Sequence, residues 1–347
     1  MAVFRSERTS FPARRALARF GALVLGGLLS ACASLPLPAP TAKPVAAADA
    51  VATEPNIAVY VASLDLATGR LGAPIKITSG PGSNFQPAFL MDGSGLLYVS
   101  QRSGTPNIYR YDFVSAQTRA ITQSTESLYS PTPMADGRGF SVIRVQSPDP
   151  FYGAEAKAPP VWRFGWDGQP LEALTPTLRV GYHAWINAQQ MALFLVDDQA
   201  ERNAHRLVLE DRMIGRQVLL SEKPGSGFAR MPQGDRVSFI DKPDPQRWVL
   251  MAMGLQDAQP QALIDLPLPP AGEGEAGRSH YFVWLPDGSL LLPQGGRLLR
   301  WDGRPGTGFK PFADLRHLGG VIKNLALSPD GARLAFSLLL EEKPPAP

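Results

Sequence analysis

Four histidines and one cysteine are the scarcest reactive side chains of this 347-residue chain, and two of the histidines recur in similar company, as Tyr182-His183 and His280-Tyr281. A pair of imidazoles can share a metal, although two histidines without acidic neighbours more often serve as hydrogen-bonded structural residues. Comparable stretches elsewhere are Phe85-Gln86, Tyr129-Ser130, Phe228 and Lys323-Asn324. Aromatic faces interspersed with a few amides and hydroxyls can grip a peptide or a glycan, and the same residues can equally pack neighbouring elements for stability. Phe85, Gln86, Tyr129, Tyr182, His183, Phe228, His280 and Tyr281 therefore form the candidate binding set, in which no Asp or Glu occurs.

Signatures of covalent or cofactor chemistry are missing. Gly272-Glu273-Gly274-Glu275-Ala276-Gly277 matches the letters of a dinucleotide-binding loop, but Leu266-Pro267-Leu268-Pro269-Pro270 precedes it where a strand is needed. It would also set two carboxylates against a pyrophosphate. The chain contains no Gly-x-Ser-x-Gly elbow, no paired-histidine metal motif and no regular calcium loop. The expectation is no catalytic residue, no metal and no cofactor.

Cys32 carries a different chemistry. Arg5, Arg8, Arg14, Arg15 and Arg19 make a basic start, Phe20 to Leu29 is a short apolar run, and Leu29-Ser30-Ala31 leads directly into Cys32. The run is too short to span a bilayer comfortably and reads as an export signal. Its end resembles the lipobox of bacterial lipoproteins, which implies cleavage before Cys32 and lipidation of that thiol, with the membrane as a partner through the anchor. Lipidation would leave no free thiol for disulfides or catalysis. Removing residues 1–31 also turns the net charge from +3 to −1, because five arginines leave with one glutamate. No basic run remains to serve a nucleic acid, so none is expected as a partner. Ala33 lacks the acidic side chain that retains many such proteins at the inner membrane, which favours the outer membrane.

These residues need a scaffold, and a repeat supplies it. Leu327 to Ser337 reads as strand, Asp-Gly turn and strand; related turns fall at Asp92-Gly93, Asp136-Gly137 and Asp287-Gly288, with degenerate copies at Ala188-Gln189 and Gln233-Gly234. Successive turns lie 44, 52, 45, 54 and 43 residues apart. A period in the forties with strands on both sides of a tight turn predicts an all-β propeller of four-stranded blades. Third strands are visible at Asn107 to Asp112, Val161 to Asp167 and Arg297 to Asp302, and no amphipathic helix follows the signal. Tyr60 to Asp65 and Ile75 to Thr78 supply a third and fourth strand without a preceding hairpin, while the last copy supplies a hairpin and stops. Joined, they make a sixth blade and close the ring.

The Leu327-to-Ser337 segment, with echoes at Pro87 to Val99 and Phe282 to Leu291, resembles the repeat of TolB-like propellers. The resemblance implies an envelope setting facing the periplasm and a protein partner there, such as a peptidoglycan-associated component. It also departs from that family, whose namesake is soluble and carries an α/β domain ahead of its propeller. The expected organisation is signal 1–31, Ala/Pro-rich tether 32–55, propeller 56–339 and Pro-rich tail 340–347. First strands would line the channel, placing the candidate set around one mouth, with the long connections Gln146 to Pro160 and Leu266 to Ser279 on the same rim. The expected role is a non-catalytic binding or scaffold module; the competing one is a propeller enzyme, of hydrolase or lactonase type, acting on a small molecule at the mouth.

Overall fold

A computed structural model describes residues 56–80, 82–145, 160–196, 205–257, 259–274 and 277–340. The signal, Cys32, the tether and the tail beyond Leu340 lie outside the described residues, as does 146–159 of the first long connection. Six antiparallel blades form a β-propeller, each running from an inner first strand to an outer fourth. Blade 1 comprises Asn84–Phe89, Gly95–Ser100, Asn107–Asp112 and Gln117–Ala120. Blade 2 comprises Ser127–Pro133, Phe140–Val145, Val161–Phe164 and Pro170–Ala173. Blade 3 is Val180–Trp185, Gln190–Leu195, Arg206–Asp211 and Arg216–Ser221. Blade 4 is Pro224–Arg230, Arg236–Asp244, Arg247–Gly254 and Gln261–Asp265, and blade 5 is Val283–Trp284, Leu290–Gln294, Arg297–Trp301 and Lys310–Asp314.

The closing blade joins the two ends of the chain. Gly320–Leu327 and Arg333–Leu340 provide its inner hairpin, and Ile57–Asp65 pairs with the latter over seven rungs, from Ile57 opposite Leu339 to Ser63 opposite Arg333. Two short outer strands, Arg70–Leu71 and Ile75–Lys76, cover the far side of Ile57–Asp65. Among the described residues there is no α-helix, and no helix is long and apolar enough to cross a membrane.

Burial grades outward within a blade. Gly95–Ser100 is buried along its whole length, so both of its faces carry apolar residues, whereas Pro170–Ala173 is exposed throughout. Proline and charged residues at such an edge deter further pairing. The core is circular: six apolar clusters occupy the six junctions between neighbouring blades. Two junctions also share a polar tie, in which the indole of Trp185 donates to Ser141 Oγ at 3.0 Å and that of Trp284 to Ser238 Oγ at 2.8 Å.

The repeated turns have a local cause. Asp330 Oδ1 accepts from Ala332 N–H at 3.0 Å while Gly331 takes a φ of +72°, a conformation L side chains resist. Asp92, Asp136 and Asp287 cap their turns in the same way. In the degenerate copy of blade 3, Asn187 does this work, its Oδ1 accepting from Gln189 and Gln190 N–H at 2.9 Å each.

Candidate functional site

Strand register aligns the six inner strands. Ala88 pairs with Leu97, Thr132 with Ser141, Ala184 with Ala192, Ala229 with Ser238, Val283 with Leu291 and Ala326 with Ala335. Two residues before these positions stand Gln86, Ser130, Tyr182, Gly227, Tyr281 and Asn324, which make an inner ring. One residue further back stand Phe85, Tyr129, Gly181, Ser226, His280 and Lys323, which make an outer ring.

Side chains of the inner ring hydrogen-bond across blades. Gln86 N–H donates to Asn324 Oδ1 at 3.3 Å, joining blade 1 to the closing blade, and Ser130 N–H donates to Gln86 Oε1 at 2.8 Å, joining blade 2 to blade 1. Both donors sit in the left-handed region, Gln86 at φ +53° and Ser130 at +52°, where each strand bulges and its pairing register shifts. Non-glycine residues held there cost on the order of 1 kcal/mol each, and such strain gathers at functional sites. The Ser337 hydroxyl donates to the same Asn324 Oδ1 at 2.8 Å, so that oxygen accepts twice, and the Asn324 side chain also hydrogen-bonds the Tyr281 hydroxyl.

Opposite them, the Tyr281 hydroxyl meets groups from three other blades: Tyr182, Asn324 and Ser226. Burial above all, reinforced by the Tyr182 phenol, pushes the Tyr281 hydroxyl well above the usual phenol range, so it remains a neutral donor and acceptor. Blade 4 makes room for it with glycine. A Cβ on Gly227 would lie 1.9 Å from the His280 carbonyl oxygen, so only hydrogen fits between the two inner strands. Beside Tyr281, the His280 ring stands edge-on to Trp248 at 4.6 Å, and burial, then Lys242 and Lys323, lower its pKa to about 4. Lys323 is half-buried, and desolvation lowers its ammonium pKa.

The candidate set divides between these rings and the blade junctions. Gln86, Tyr182 and Tyr281 belong to the inner ring; Phe85, Tyr129 and His280 belong to the outer one. The rings of Phe85 and Tyr129 are half-buried and stacked at 6.3 Å within the junction of blades 1 and 2. His183 and Phe228 align with Pro87 and Pro131, one residue past the inner ring. His183 is accordingly buried in the junction of blades 2 and 3, where its Nε2 lies 2.7 Å from Ser141 Oγ and burial lowers its pKa to about 4. Phe228 packs in the junction of blades 3 and 4 with Tyr182 and Phe194. Ser226, Gly227 and Asn324 complete the constellation without being aromatic; the Gly225-Ser226-Gly227 run at the start of a strand is the signal that could have marked two of them.

The second long connection, from blade 4 to blade 5, folds onto the turns between second and third strands. Gln294 Nε2 donates to Leu268 O at 3.0 Å, Arg297 pairs with Glu273 at 2.7 Å, and Arg278 donates to Gln246 O at 3.2 Å while stacking over Trp248 at 4.9 Å. It thus shares the rim on which the inner strands begin. Gly272 to Gly277 belongs to this loop, with no helix after it among the described residues.

What the rings offer is hydrogen bonding by neutral hydroxyls and amides, with the ammonium groups of Lys242 and Lys323 near His280. Among the described residues no three His, Cys, Asp or Glu side chains converge as a metal-binding group.

No known protein family's sequence profile matches the chain, and neither does any curated protein. Solved structures do match. A TolB-type protein from Agrobacterium tumefaciens superposes with a TM-score of 0.61 at 15% identity, covering 83% of this chain and 100% of that one. A gluconolactonase from Xanthomonas campestris superposes with a TM-score of 0.54 at 12% identity, covering 84% of this chain and 99% of that one. One is a TolB-type protein and the other an enzyme, so at these identities the likeness is one of fold: this chain is a six-bladed β-propeller of the architecture that both share.

Proposed function

We propose that this protein is a lipid-anchored propeller of the bacterial cell envelope, facing the periplasm from the outer membrane, whose channel mouth binds an envelope protein or a cell-wall component without chemical conversion. The observation that carries this reading is the double ring itself, in which all six blades contribute hydroxyl or amide groups and none contributes a carboxylate. Hydrogen-bonding groups held in place by neighbouring blades suit recognition, whereas acid–base catalysis needs a group that titrates near the working pH. His183 and His280 are both held far below it.

A photoreactive residue in place of Tyr129 or Tyr281, irradiated in cells and followed by mass spectrometry, tests the site. One envelope component captured from both positions is expected. Failure to capture anything from either position in a folded, anchored protein would overturn the reading and direct attention to the enzyme alternative. The anchor has its own test: Cys32→Ser is expected to abolish incorporation of labelled fatty acid entirely and to leave an uncleaved or soluble product. Undiminished labelling would remove the lipoprotein assignment.

A further inference from the structure

Hydrogen bonds pass around the inner ring from blade to blade, and the circuit breaks at one junction. Asn324 of the closing blade accepts from the Gln86 N–H of blade 1 at 3.3 Å, and Gln86 accepts from the Ser130 N–H of blade 2 at 2.8 Å. On the other side, Tyr281 of blade 5 joins Asn324, Ser226 of blade 4 and Tyr182 of blade 3. The step from blade 2 to blade 3 is missing. There the bridging side chain in the series is Ser130, too short to span the junction as Gln86 does, and its Oγ is buried without a partner among the described residues. From the opposite side of the same junction comes His183, 7% exposed, whose ring reaches blade 2 and whose Nδ1 is likewise buried and unpartnered. His183 is also the one polar residue at its level of the six inner strands, where the others place Pro87, Pro131, Phe228, Phe282 and Leu325. Blade 5 shows the apolar alternative: Trp284 donates to Ser238 as Trp185 does to Ser141, with Phe282 in the position of His183. A buried imidazole nitrogen without a partner costs free energy that a phenylalanine would not.

We infer that a single internal water binds between Ser130 and His183, accepting from the imidazole Nδ1–H and sharing a hydrogen bond with the serine hydroxyl, and so closes the inner ring between blades 2 and 3. The direction at the imidazole follows from Ser141. Its Oγ accepts from the Trp185 indole at 3.0 Å, and its own proton has His183 Nε2 at 2.7 Å and Thr132 O at 3.3 Å to choose between. The shorter contact takes it, so Nε2 accepts and Nδ1 carries the hydrogen. Burial alone lowers the His183 pKa, with no charged group contributing, so an ion bound beside the ring would have no counter-charge, whereas a water needs only polar partners. The inference does not depend on what the mouth binds.

High-resolution crystallography of the full mature chain tests it. One density peak within about 3.2 Å of both Ser130 Oγ and His183 Nδ1 is expected. Ser130→Gln should expel that water and put the amide oxygen in its place; the backbone accepts the change, because Gln86 already holds a φ of +53° where Ser130 has +52°. In solution, the melting shifts of Ser130→Ala and His183→Phe should be non-additive, the double variant losing less than the sum of the two, because each removes a partner of the same water. A direct bond between Ser130 Oγ and His183 Nδ1, or no peak between them, overturns the inference from the parent crystal alone, whether or not the variants fold. Additive melting shifts, or a peak that persists in Ser130→Gln, also overturn it, since the serine would then not be one of the water's partners.

Discussion

Gly227→Ala is expected to destabilise the propeller by about 2–4 kcal/mol, the upper range for forced overpacking. The added methyl would meet the His280 carbonyl oxygen at 1.9 Å, its carbon at 2.9 Å and the Tyr281 Cα at 3.0 Å. All three are backbone atoms, so no side-chain rotation relieves the overlap. The inner strands of blades 4 and 5 must separate, which loosens the junction where Ile240, Leu250, Phe282 and Trp284 are buried and withdraws Tyr281 from Asn324 and Tyr182. A melting temperature lower by roughly 5–10 °C follows for a domain of this size. Gly308→Ala is the control, since nothing lies within 4 Å of its added carbon; it should shift stability by no more than about 0.5 kcal/mol. Indistinguishable melting of the two variants would refute the close strand approach on which the inner ring depends.

A chain ending at Leu327 is expected to lose cooperative folding altogether. The removed strand, Arg333–Leu340, is the middle of the closing blade, held by Gly320–Leu327 on one side and Ile57–Asp65 on the other. Leu334, Phe336 and Leu338 are fully buried and lie in the junction with blade 5, while Ala335 lies in the junction with blade 1. Burying three large apolar side chains is worth roughly 5–9 kcal/mol, comparable with the whole stability of many domains. Without that strand Ile57–Asp65 also loses its only inner neighbour, and the ring opens at two junctions at once. Calorimetry and near-ultraviolet dichroism should show no sharp transition and no fixed aromatic environment. A cooperative melt within a few degrees of the full chain would mean that closure by the shared blade contributes little.

Both results bear on how this sequence encodes its structure. Blade period, strand order and the composite sixth blade are legible in the chain because their causes are local. An Asp or Asn that accepts from the backbone two residues on, followed by a glycine tolerant of positive φ, makes the same turn wherever it occurs, and the copy built on Asn187 shows that the acceptor matters more than the Asp-Gly letters. The complementary ends were readable for a similar reason: Ile57–Asp65 is apolar enough to need a neighbour on each side, and only Arg333–Leu340 lacked one.

The mouth was legible in part. Aromatic residues marked the start of the inner strand in five blades, with Lys323-Asn324 in the closing one, and counted back from the turns all six blades align. In blades 3 and 4 the residues picked out, His183 and Phe228, stand one position nearer the turn than the inner ring. Neighbouring residues of a strand face opposite ways, so that single step sends a side chain into a blade junction. His183 therefore turns into a junction while Tyr182 takes the channel position.

The sequence by itself determined the elements, their number and the way the ring closes, because turns, alternation and strand-end composition act over a few residues. Only the tertiary structure decided which side chains converge. Gly227 matters through a carbonyl of another blade, and Asn324 through a backbone amide more than two hundred residues away. Each of these is a relation between blades, set by packing around the ring, and such relations leave no mark in the local pattern of either partner.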